Sequence, residues 1–341
     1  MGIERTSTGY RFHAAGPGTL ISCTGTLERP ISAGCRVAEP IQSVKAGLNY
    51  AAGGPIYRDP PSGAMLMVYH GERWKDPTHG LIFHSSLGLA KSIDEGSTWT
   101  DLGEIITPNM TPAALFARNV THDLGGGAYL IVGDHFYVYF RDWMMTGDKA
   151  EIAVARARVA DVVDAAVNHN TVVPWTKYFN GEWTEPGLGG RASPLETPDT
   201  FAAWWDVSYN TYLGRYIMVA FGAPWPATGL YWLDSVDGLS WSNRKLIVGD
   251  SNQKIYVTVA GLGADPEVTG QHFYVYYVSS VKGGKGDGIT HRTTDDFLAR
   301  RLIILSTAES SNVTTLTVSN LDEASVEEAS QSDLQPAVGA F

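Results

Sequence analysis

The sequence contains few cysteines, few charged residues and no long apolar run, and each shortage excludes a class of protein. Two cysteines in 341 residues cannot build a disulfide framework. No apolar run approaches the length of about 18 residues that a membrane-spanning helix needs. The net charge of −11, with no cluster of lysine and arginine, argues against a nucleic acid or an anionic membrane as partner.

The sequence leaves the compartment and the cysteine pairing open. The segment before Leu20 lacks the basic-then-apolar order of a signal peptide, and the protein is secreted or periplasmic if such a peptide has been removed. Cys23 and Cys35 could form one bridge near the N-terminus, although we favour two unpaired small core residues. We expect the protein to be a monomer.

Glycine and aromatic residues are abundant, with 37 glycines, 16 tyrosines, 11 phenylalanines and 10 tryptophans. Only 18% of the residues are charged, which is low for a globular chain. This composition argues against a coiled coil, a helical bundle or a disordered chain. It indicates short strands joined by many turns.

A hairpin of alternating apolar and aromatic residues recurs four times. Its second strand is predicted at residues 64–69, 135–140, 215–221 and 272–277, each time after a turn-forming stretch and a shorter apolar strand. A third strand is predicted at residues 81–90, 151–156, 229–233 and 288–292. A fourth strand is predicted at residues 102–106, 175–179 and 245–248. The one clear helical run covers residues 159–167.

A four-stranded unit repeated at intervals of roughly 55 to 80 residues is typical of a β-propeller. Four units lie between Asn49 and Leu305, and strand-like runs in residues 10–45 and 303–320 could supply one more blade. We therefore predict an all-β, five-bladed propeller with four-stranded antiparallel blades, whose ring is closed by the two termini. Residues 1–320 would form this single domain, and residues 321–341 would form an acidic C-terminal tail.

A second motif recurs between third and fourth strands. The segment Ser92-Ile-Asp-Glu-Gly-Ser-Thr-Trp99 resembles the Asp box of sialidases and related propellers at every defined position. A shorter relative covers residues 235–241, and a degenerate one covers residues 293–297. In such a turn the Asp side chain bonds local backbone N–H groups and the aromatic residue packs between sheets. We interpret the motif as a marker of the fold and not as a catalytic element.

One face of the predicted ring collects polar and aromatic residues. In an up-and-down blade, the start of the first strand and the end of the second strand lie on the same face, opposite the Asp boxes. The first strands are predicted to start at Asn49-Tyr50, Asp123, Asp206 and Tyr256, and the second strands are followed by His70, Glu72, Trp74, Asp142 and Trp143. Cleavage of a glycosidic bond needs such a set of residues. One acid protonates the leaving oxygen, one carboxylate activates water or attacks the anomeric carbon, and aromatic side chains stack against the sugar rings.

The catalytic candidates are Asp123, Asp206 and Glu72. The candidates for binding a carbohydrate substrate are Asn49, Tyr50, His70, Trp74, His122, Asp142, Trp143, Glu185, Arg191, Trp205 and Tyr256. Glu185 and Arg191 belong to a long loop rich in glycine and proline, and such loops are often functional; a structural ion pair is the alternative. The histidines lack metal-binding spacing, so we predict no metal site and no cofactor, with a cation at the pore centre left open.

Three segments carry a family resemblance: Gly54-Pro-Ile-Tyr-Arg-Asp-Pro60, Met67-Val-Tyr-His-Gly-Glu72 and Phe136-Tyr-Val-Tyr-Phe-Arg-Asp-Trp143. They resemble blade motifs of five-bladed propeller glycoside hydrolases of the furanosidase-like clans (families 43, 32 and 130), which include arabinanases, β-xylosidases, fructosidases and mannoside phosphorylases. The resemblance covers roughly residues 45 to 305. It implies three carboxylates acting as base or nucleophile, general acid and pKa modulator, which here would be Asp123, Asp206 and Glu72. The chain departs from the pattern in having Asn49 for an Asp and Asp206 for a Glu.

Two other functions compete with a glycoside hydrolase for poly- or oligosaccharides. The Asp boxes suggest a sialidase-type exo-glycosidase, whose substrate carboxylate would be bound by a cluster drawn from Arg73, Arg118, Arg141 and Arg191. The third possibility is a propeller that binds carbohydrate without catalysis. All three functions make a carbohydrate the partner.

Overall fold

The computed structural model describes residues 1–16, 19–38, 41, 47–145, 151–195, 202–222, 229–249, 253–280, 296–310 and 313–321. In this part of the chain there are two helices, α1 Pro112–Arg118 and α2 Val159–His169. Helix α2 confirms the predicted helical run, whereas α1 was not predicted from the sequence. Neither of these helices is long and apolar enough to cross a membrane.

The described strands form four sheets, none of which closes on itself. The first contains β1 Gly2–Thr6, β2 Gly9–Gly16, β3 Thr19–Gly25 and β4 Cys35–Ala38. The second begins with β5 Tyr50–Ala52, β6 Ile56–Arg58, β7 Met65–Asp76, β8 His79–Ser92 and β9 Thr100–Ile106. It continues, through one parallel contact between His84 and His122, with β10 His122–Val132, β11 His135–Met144, β12 Glu151–Arg158, β13 Thr176–Phe179 and β14 Glu182–Pro186.

The other two sheets hold the C-terminal half of the chain. The third contains β15 Ala202–Asn210, β16 Arg215–Gly222, β17 Gly229–Ser235, β18 Ser242–Gly249 and the short β20 Val268–Thr269. The fourth contains β19 Gln253–Gly261, β21 His272–Ser280, β22 Asp296–Ser310 and β23 Val313–Leu321. All four predicted aromatic strands are present, as β7, β11, β16 and β21. The predicted strand at residues 288–292 lies outside the described residues, and β22 pairs with β21 in its place.

The first and last sheets correct the prediction of a blade shared by the two termini. Among the described strands, β1 to β4 pair only with one another, β22 pairs with β21, and β23 pairs with β22. The sequence analysis missed β1, a short strand that joins β2 through a tight turn at Ser7-Thr8 and gives the first sheet its own fourth strand. The two sheets instead meet side chain to side chain, with Phe12 beside Tyr276 at 6.0 Å between ring centroids.

Among the described residues, five apolar clusters lie between neighbouring groups of strands, where the groups are β1–β4, β5–β9, β10–β14, β15–β18 with β20, and β19 with β21–β23. Each joins one group to the next, and the last joins β19–β21 back to β1–β3. Representative buried pairs, in order, are Leu20 with Met67, Leu87 with Leu124, Tyr139 with Met218, Phe221 with Phe273, and Phe12 with Tyr276. The groups therefore follow one another around a ring, with a core between each neighbouring pair.

The strands β10, β15 and β19 each contain a β-bulge. The ladder shifts between Gly126 and Tyr129 in β10, between Ala203 and Asp206 in β15, and between Ile255 and Thr258 in β19. In β10 the bulge places Gly126 and Gly127 at φ of 96° and 98°, which residues with a side chain rarely adopt. The extra residue reverses which face of the sheet each following side chain occupies.

Two turns have the hydrogen bonds of the Asp-box motif. The Asp94 carboxylate accepts from the backbone N–H groups of Ser97 and Thr98 at 3.1 and 2.9 Å, and Trp99 is 1% exposed. In the shorter relative, Asp237 accepts from Leu239 and Ser240, each at 2.8 Å. Residues 293–295 of the third motif, and the predicted tail beyond Leu321, lie outside the described residues.

Cys23 and Cys35 are opposite each other on β3 and β4 and form a disulfide bond. The favoured interpretation of two unpaired cysteines is therefore wrong. The sequence could not decide the pairing, because it does not reveal that the two residues fall in register across a hairpin.

Candidate active site

Asp123 is held in place by groups from two neighbouring strands. It is the second residue of β10, and its carboxylate accepts hydrogen bonds from the Arg141 guanidinium on β11 and from the Ser85 hydroxyl on β8, the latter at 3.2 Å. Asp123 and Arg141 are only 6% and 3% exposed. A guanidinium partner compensates the charge of a buried carboxylate.

Glu72 lies on β7, with both carboxylate oxygens engaged. The indole N–H of Trp74 donates to Oε2 at 2.7 Å, and Nε2 of His70 is 3.1 Å from Oε1. The other ring nitrogen of His70, Nδ1, is 3.1 Å from the carbonyl oxygen of Leu124 on β10. Because a carbonyl oxygen can only accept, Nδ1 carries a proton. His70 therefore links Glu72 to the strand that bears Asp123.

The charge state of His70 follows from the same neighbours. Burial disfavours the imidazolium, but the hydrogen bond with Glu72, the negative charges of Asp123 and Glu72, and the Leu124 carbonyl outweigh it, so the pKa of His70 is raised. The ring of Tyr50 stands edge-on to that of His70, with 6.3 Å between the centroids. His70 thus lies between two carboxylates whose negative charges act in favour of the imidazolium.

A second carboxylate–histidine pair lies beside the first. Oδ1 of Asp142 is 2.5 Å from Nε2 of His122. On β11, Asp142 is opposite Leu124, the residue after Asp123. On β7, Glu72 is opposite Tyr50, the residue after Asn49. The two carboxylates therefore have equivalent positions on their strands, as the sequence predicted.

The structure brings together nine of the predicted residues, which we call the entrance cluster: Asn49, Tyr50, His70, Glu72, Trp74, His122, Asp123, Asp142 and Trp143. Asn49 belongs to it because its side-chain oxygen accepts from the backbone N–H of Trp74 at 2.8 Å. Trp143 belongs to it because the Arg141 guanidinium lies 5.3 Å from the centre of its ring. Two indoles thus flank the carboxylates.

Asp206 does not occupy the position equivalent to Asp123. It is the fifth residue of β15 and the first paired residue after the bulge, which is the place of Tyr129 in β10. That is six residues further along the strand than Asp123, or roughly 15 to 20 Å. The prediction of equivalence is wrong because Asp206 lies only nine residues before the first residue of β16, whereas Asp123 lies twelve before that of β11, and the β15–β16 turn has four residues against two.

The surroundings of Asp206 are those of a buried acid. Its two oxygens accept from the backbone N–H groups of Val207 and Val259, each at 2.9 Å. Burial raises its pKa to about 6, with the Met1 ammonium and the two N–H groups acting in the opposite direction. Glu267 lies within its electrostatic reach, and burial and the charge of Asp206 raise the pKa of Glu267 as well.

Four further candidates lie elsewhere in the fold. Trp205 is 3% exposed and packs in the apolar cluster between β10–β12 and β15–β17. Tyr256 lies in the bulge of β19, with a φ of 56°, and not at the start of that strand. Glu185 and Arg191 form an ion pair of 2.6 Å at β14, the outermost strand of its sheet. For Glu185 and Arg191 the structure supports the alternative of a structural ion pair.

Three of the four arginines considered for a sialidase are paired with carboxylates. Arg73 forms two bonds of 2.7 Å with Glu104, Arg141 pairs with Asp123, and Arg191 pairs with Glu185. These pairs argue against a shared arginine cluster for an anionic sugar. Among the described residues, no group of three or more His, Cys, Asp or Glu side chains is arranged to hold a metal ion.

Sequence reasoning missed Ser85 as a partner of Asp123. It lies in β8 next to Ser86, and a pair of serines within a largely apolar strand gives no functional signal. It also missed that Arg141, considered only for a sialidase, would neutralise Asp123. An Arg two residues before an aromatic residue at the end of a strand could have suggested this role.

No family model and no curated protein sequence matches this chain. Solved structures do resemble it. The α-L-arabinofuranosidase of Lactobacillus brevis has a TM-score of 0.52 at 13% identity, covering 92% of this chain and 91% of its own. The α-L-arabinofuranosidase of Podospora anserina has 0.52 at 10%, covering 88% of each. The β-fructofuranosidase of Bombyx mori has 0.51 at 9%, covering 93% of this chain and 61% of its own. At these identities the likeness is one of fold, and these folds are propellers.

Proposed function

We propose that this protein is a glycoside hydrolase built on a five-bladed propeller. The count of five rests on the five strand groups β1–β4, β5–β9, β10–β14, β15–β18 with β20, and β19 with β21–β23, and on the five apolar clusters between them. The solved structures of similar fold are named arabinofuranosidases and a fructofuranosidase, which supports a furanoside as the substrate class.

The observation that carries the function is the link from Glu72 through His70 to the strand of Asp123, at one end of the first strands. Glycosidic hydrolysis uses one carboxyl group to protonate the leaving oxygen and one carboxylate to activate water or attack the anomeric carbon. Asp123, which accepts a hydrogen bond from the Arg141 guanidinium, suits the second role. Glu72 borders a proton-bearing histidine and suits the first. Trp74 and Trp143 offer flat apolar surfaces for sugar rings.

The test is hydrolysis of a panel of methyl furanosides and pyranosides, whose leaving group needs protonation, by the wild type, Asp123→Asn and Glu72→Gln. We expect both variants to lose about 10² to 10⁴ in kcat/KM on the substrate that the wild type cleaves best. Glu185→Gln is the matched control, since Glu185 is also paired with an arginine but lies at the outer strand. It should keep its activity.

Two outcomes would overturn the proposal. If the wild type binds oligosaccharides in calorimetry but cleaves no substrate of the panel, the protein binds carbohydrate without catalysis. If Asp123→Asn and Glu72→Gln both keep full activity, the entrance cluster is not the active site. Cleavage of an aryl sialoside would instead favour the sialidase that the arginine pairs argue against.

A further inference from the structure

We propose that His70 is a positioning residue that supplies, through Glu72, the proton received by the leaving oxygen. The inference rests on the proposed function and specifies how its acid works. It starts from geometry: the imidazole spans from β7 to β10, with Nδ1 at 3.1 Å from the Leu124 carbonyl and Nε2 at 3.1 Å from Glu72.

The hydrogen-bond partners assign the protons. The Leu124 carbonyl keeps a proton on Nδ1, so any exchangeable proton of the pair lies between Nε2 and Oε1 of Glu72. The indole of Trp74 is a donor only, and it fixes the second oxygen of Glu72 from the other side. The carboxylate is therefore held with one oxygen on the histidine, and its remaining lone pairs can meet a ligand.

The step balances with groups that are present. The Nε2–H bond of His70 breaks as an O–H bond forms on Glu72. That O–H bond then breaks as the proton passes to the glycosidic oxygen, which keeps the electron pair of the broken carbon–oxygen bond. Glu72 returns to the carboxylate and His70 becomes neutral. The hydrolytic water supplies the proton that restores the imidazolium.

Charged and titratable groups around His70 favour this cycle. Glu72 lies on the same strand, Asp123 on β10 contributes a second negative charge, and Tyr50 on β5 packs against the ring. Arg141 on β11 partly offsets Asp123, with which it is paired. Burial acts to lower the pKa of His70, but the hydrogen bond with Glu72 and the negative charges of Glu72 and Asp123 outweigh it, so the pKa is higher than that of a free histidine.

The experiment compares two leaving groups on one sugar. The 2,4-dinitrophenolate leaving group departs without protonation, whereas the glycosidic oxygen of a methyl glycoside must be protonated by an acid before methanol can leave. We expect His70→Asn and His70→Gln to lower kcat/KM for the methyl glycoside by about 100-fold or more and to change the dinitrophenyl reaction by less than about threefold. Glu72→Gln should show the same split, and Asp123→Asn should lose both reactions. The alkaline limb of the wild-type pH profile should disappear in His70→Asn.

The matched control is His135→Asn, because His135 also pairs with an aspartate, Asp134 at 2.6 Å, but lies at the turn after β10. It should alter neither reaction. An equal loss on both substrates in the His70 variants would assign His70 a merely structural role, and no loss on either would exclude it. If the wild type cleaves both substrates but Glu72→Gln shows no split, the relay is wrong while the proposed function stands. If the wild type cleaves neither substrate, the proposed function itself fails.

A second measurement does not depend on turnover. The pKa of His70, followed by NMR with labelled histidine, should fall in Glu72→Gln, because the variant removes the hydrogen-bonded negative charge. His135 provides an internal reference in the same spectra. An unchanged pKa of His70 would contradict the proposed proton sharing.

Discussion

Arg141 reaches Asp123 diagonally across β10 and β11, because the residue directly opposite Arg141 is Gly125. A side chain at Gly125 would place its Cβ 3.0 Å from the guanidinium, so the absence of a side chain leaves the space in which Arg141 lies. The run of three glycines after Asp123 thus includes one that accommodates the ion pair and two that form the bulge.

Loss of Arg141 should be far more costly than loss of an exposed arginine. Arg141→Met leaves the buried Asp123 carboxylate without its charged partner, and we expect the free energy of unfolding to fall by about 3 to 5 kcal/mol. Arg191→Met is the control, since its side chain is 59% exposed, and it should cost less than about 1 kcal/mol. Urea unfolding of both variants tests this. Equal losses would contradict the distinction between the two pairs.

Asp206 should make stability depend on pH. Its pKa is raised from 3.8 to about 6 in the folded protein, so between these values the folded state binds more protons than the unfolded state. The contribution of Asp206 to stability therefore falls as the pH rises from about 4 to 6, by up to about 3 kcal/mol. Asp206→Asn does not titrate at this position. In urea unfolding, the wild type should gain stability relative to the variant on moving from pH 7 to pH 4.5.

The same variant tests the site assignment. Because Asp206 lies well along β15 from the entrance cluster, Asp206→Asn should keep its kcat/KM at pH 7 within about fivefold, against the about 10²-fold or greater loss of an essential carboxyl group. Loss of activity comparable to that of Asp123→Asn, in a variant that stays folded, would restore Asp206 as a catalytic residue.

The Asp-box turn should contribute stability through Asp94. Asp94→Ala removes the acceptor of two backbone N–H groups, and we expect a loss of about 1 to 2 kcal/mol. Burial would raise the pKa of Asp94, but the hydrogen bonds from Thr98, Ser92 and Ser97 lower it to about 2. Its contribution is therefore present above pH 4 and lost as the pH falls towards 2. Ile93→Ala, at an 82% exposed neighbouring position, is the control and should be neutral in thermal unfolding.

The disulfide should stabilise the first sheet without affecting catalysis. Cys23 and Cys35 are 12 residues apart, and cross-links that close loops of this length contribute about 2 to 3 kcal/mol. The double variant Cys23→Ser, Cys35→Ser should lower the unfolding free energy by that amount while keeping the kcat/KM of the wild type at 25 °C. A loss of activity in the folded double variant would contradict the separation of the first sheet from the site.

The strands were predictable because their side chains alternate with a period of two. The aromatic second strands, such as the one that begins at His135, are recognisable from the alternation of a few consecutive residues. The positions of side chains along the first strands were harder to predict, because they depend on the length of the paired segment and of the turn that follows it. Both differ between the β10–β11 and β15–β16 hairpins, so counting back from the second strand misplaced Asp206 but put Asp123 correctly at its strand end.

The carboxylates of the entrance cluster were recognisable by residue type, but their partners were not. Nothing in the sequence around Ser85 or Leu124 indicates that a hydroxyl will meet Asp123 or that a carbonyl will fix His70. Such contacts join strands about 40 to 55 residues apart and arise only when the sheets pack. For the same reason, the choice between paired and unpaired states of Arg73, Arg141 and Arg191 needed the structure.

The bulges divide each of β10, β15 and β19 into two segments whose inward and outward positions are out of phase. Alternate side chains that point to one face of the sheet before the bulge therefore point to the other face after it. In such a chain, the apolar residues that pack the sheets together and the polar residues at the strand ends can differ from one protein to another independently. One ring can then accommodate many different reactive ends, which suits a fold whose solved relatives here share barely a tenth of their residues with this protein.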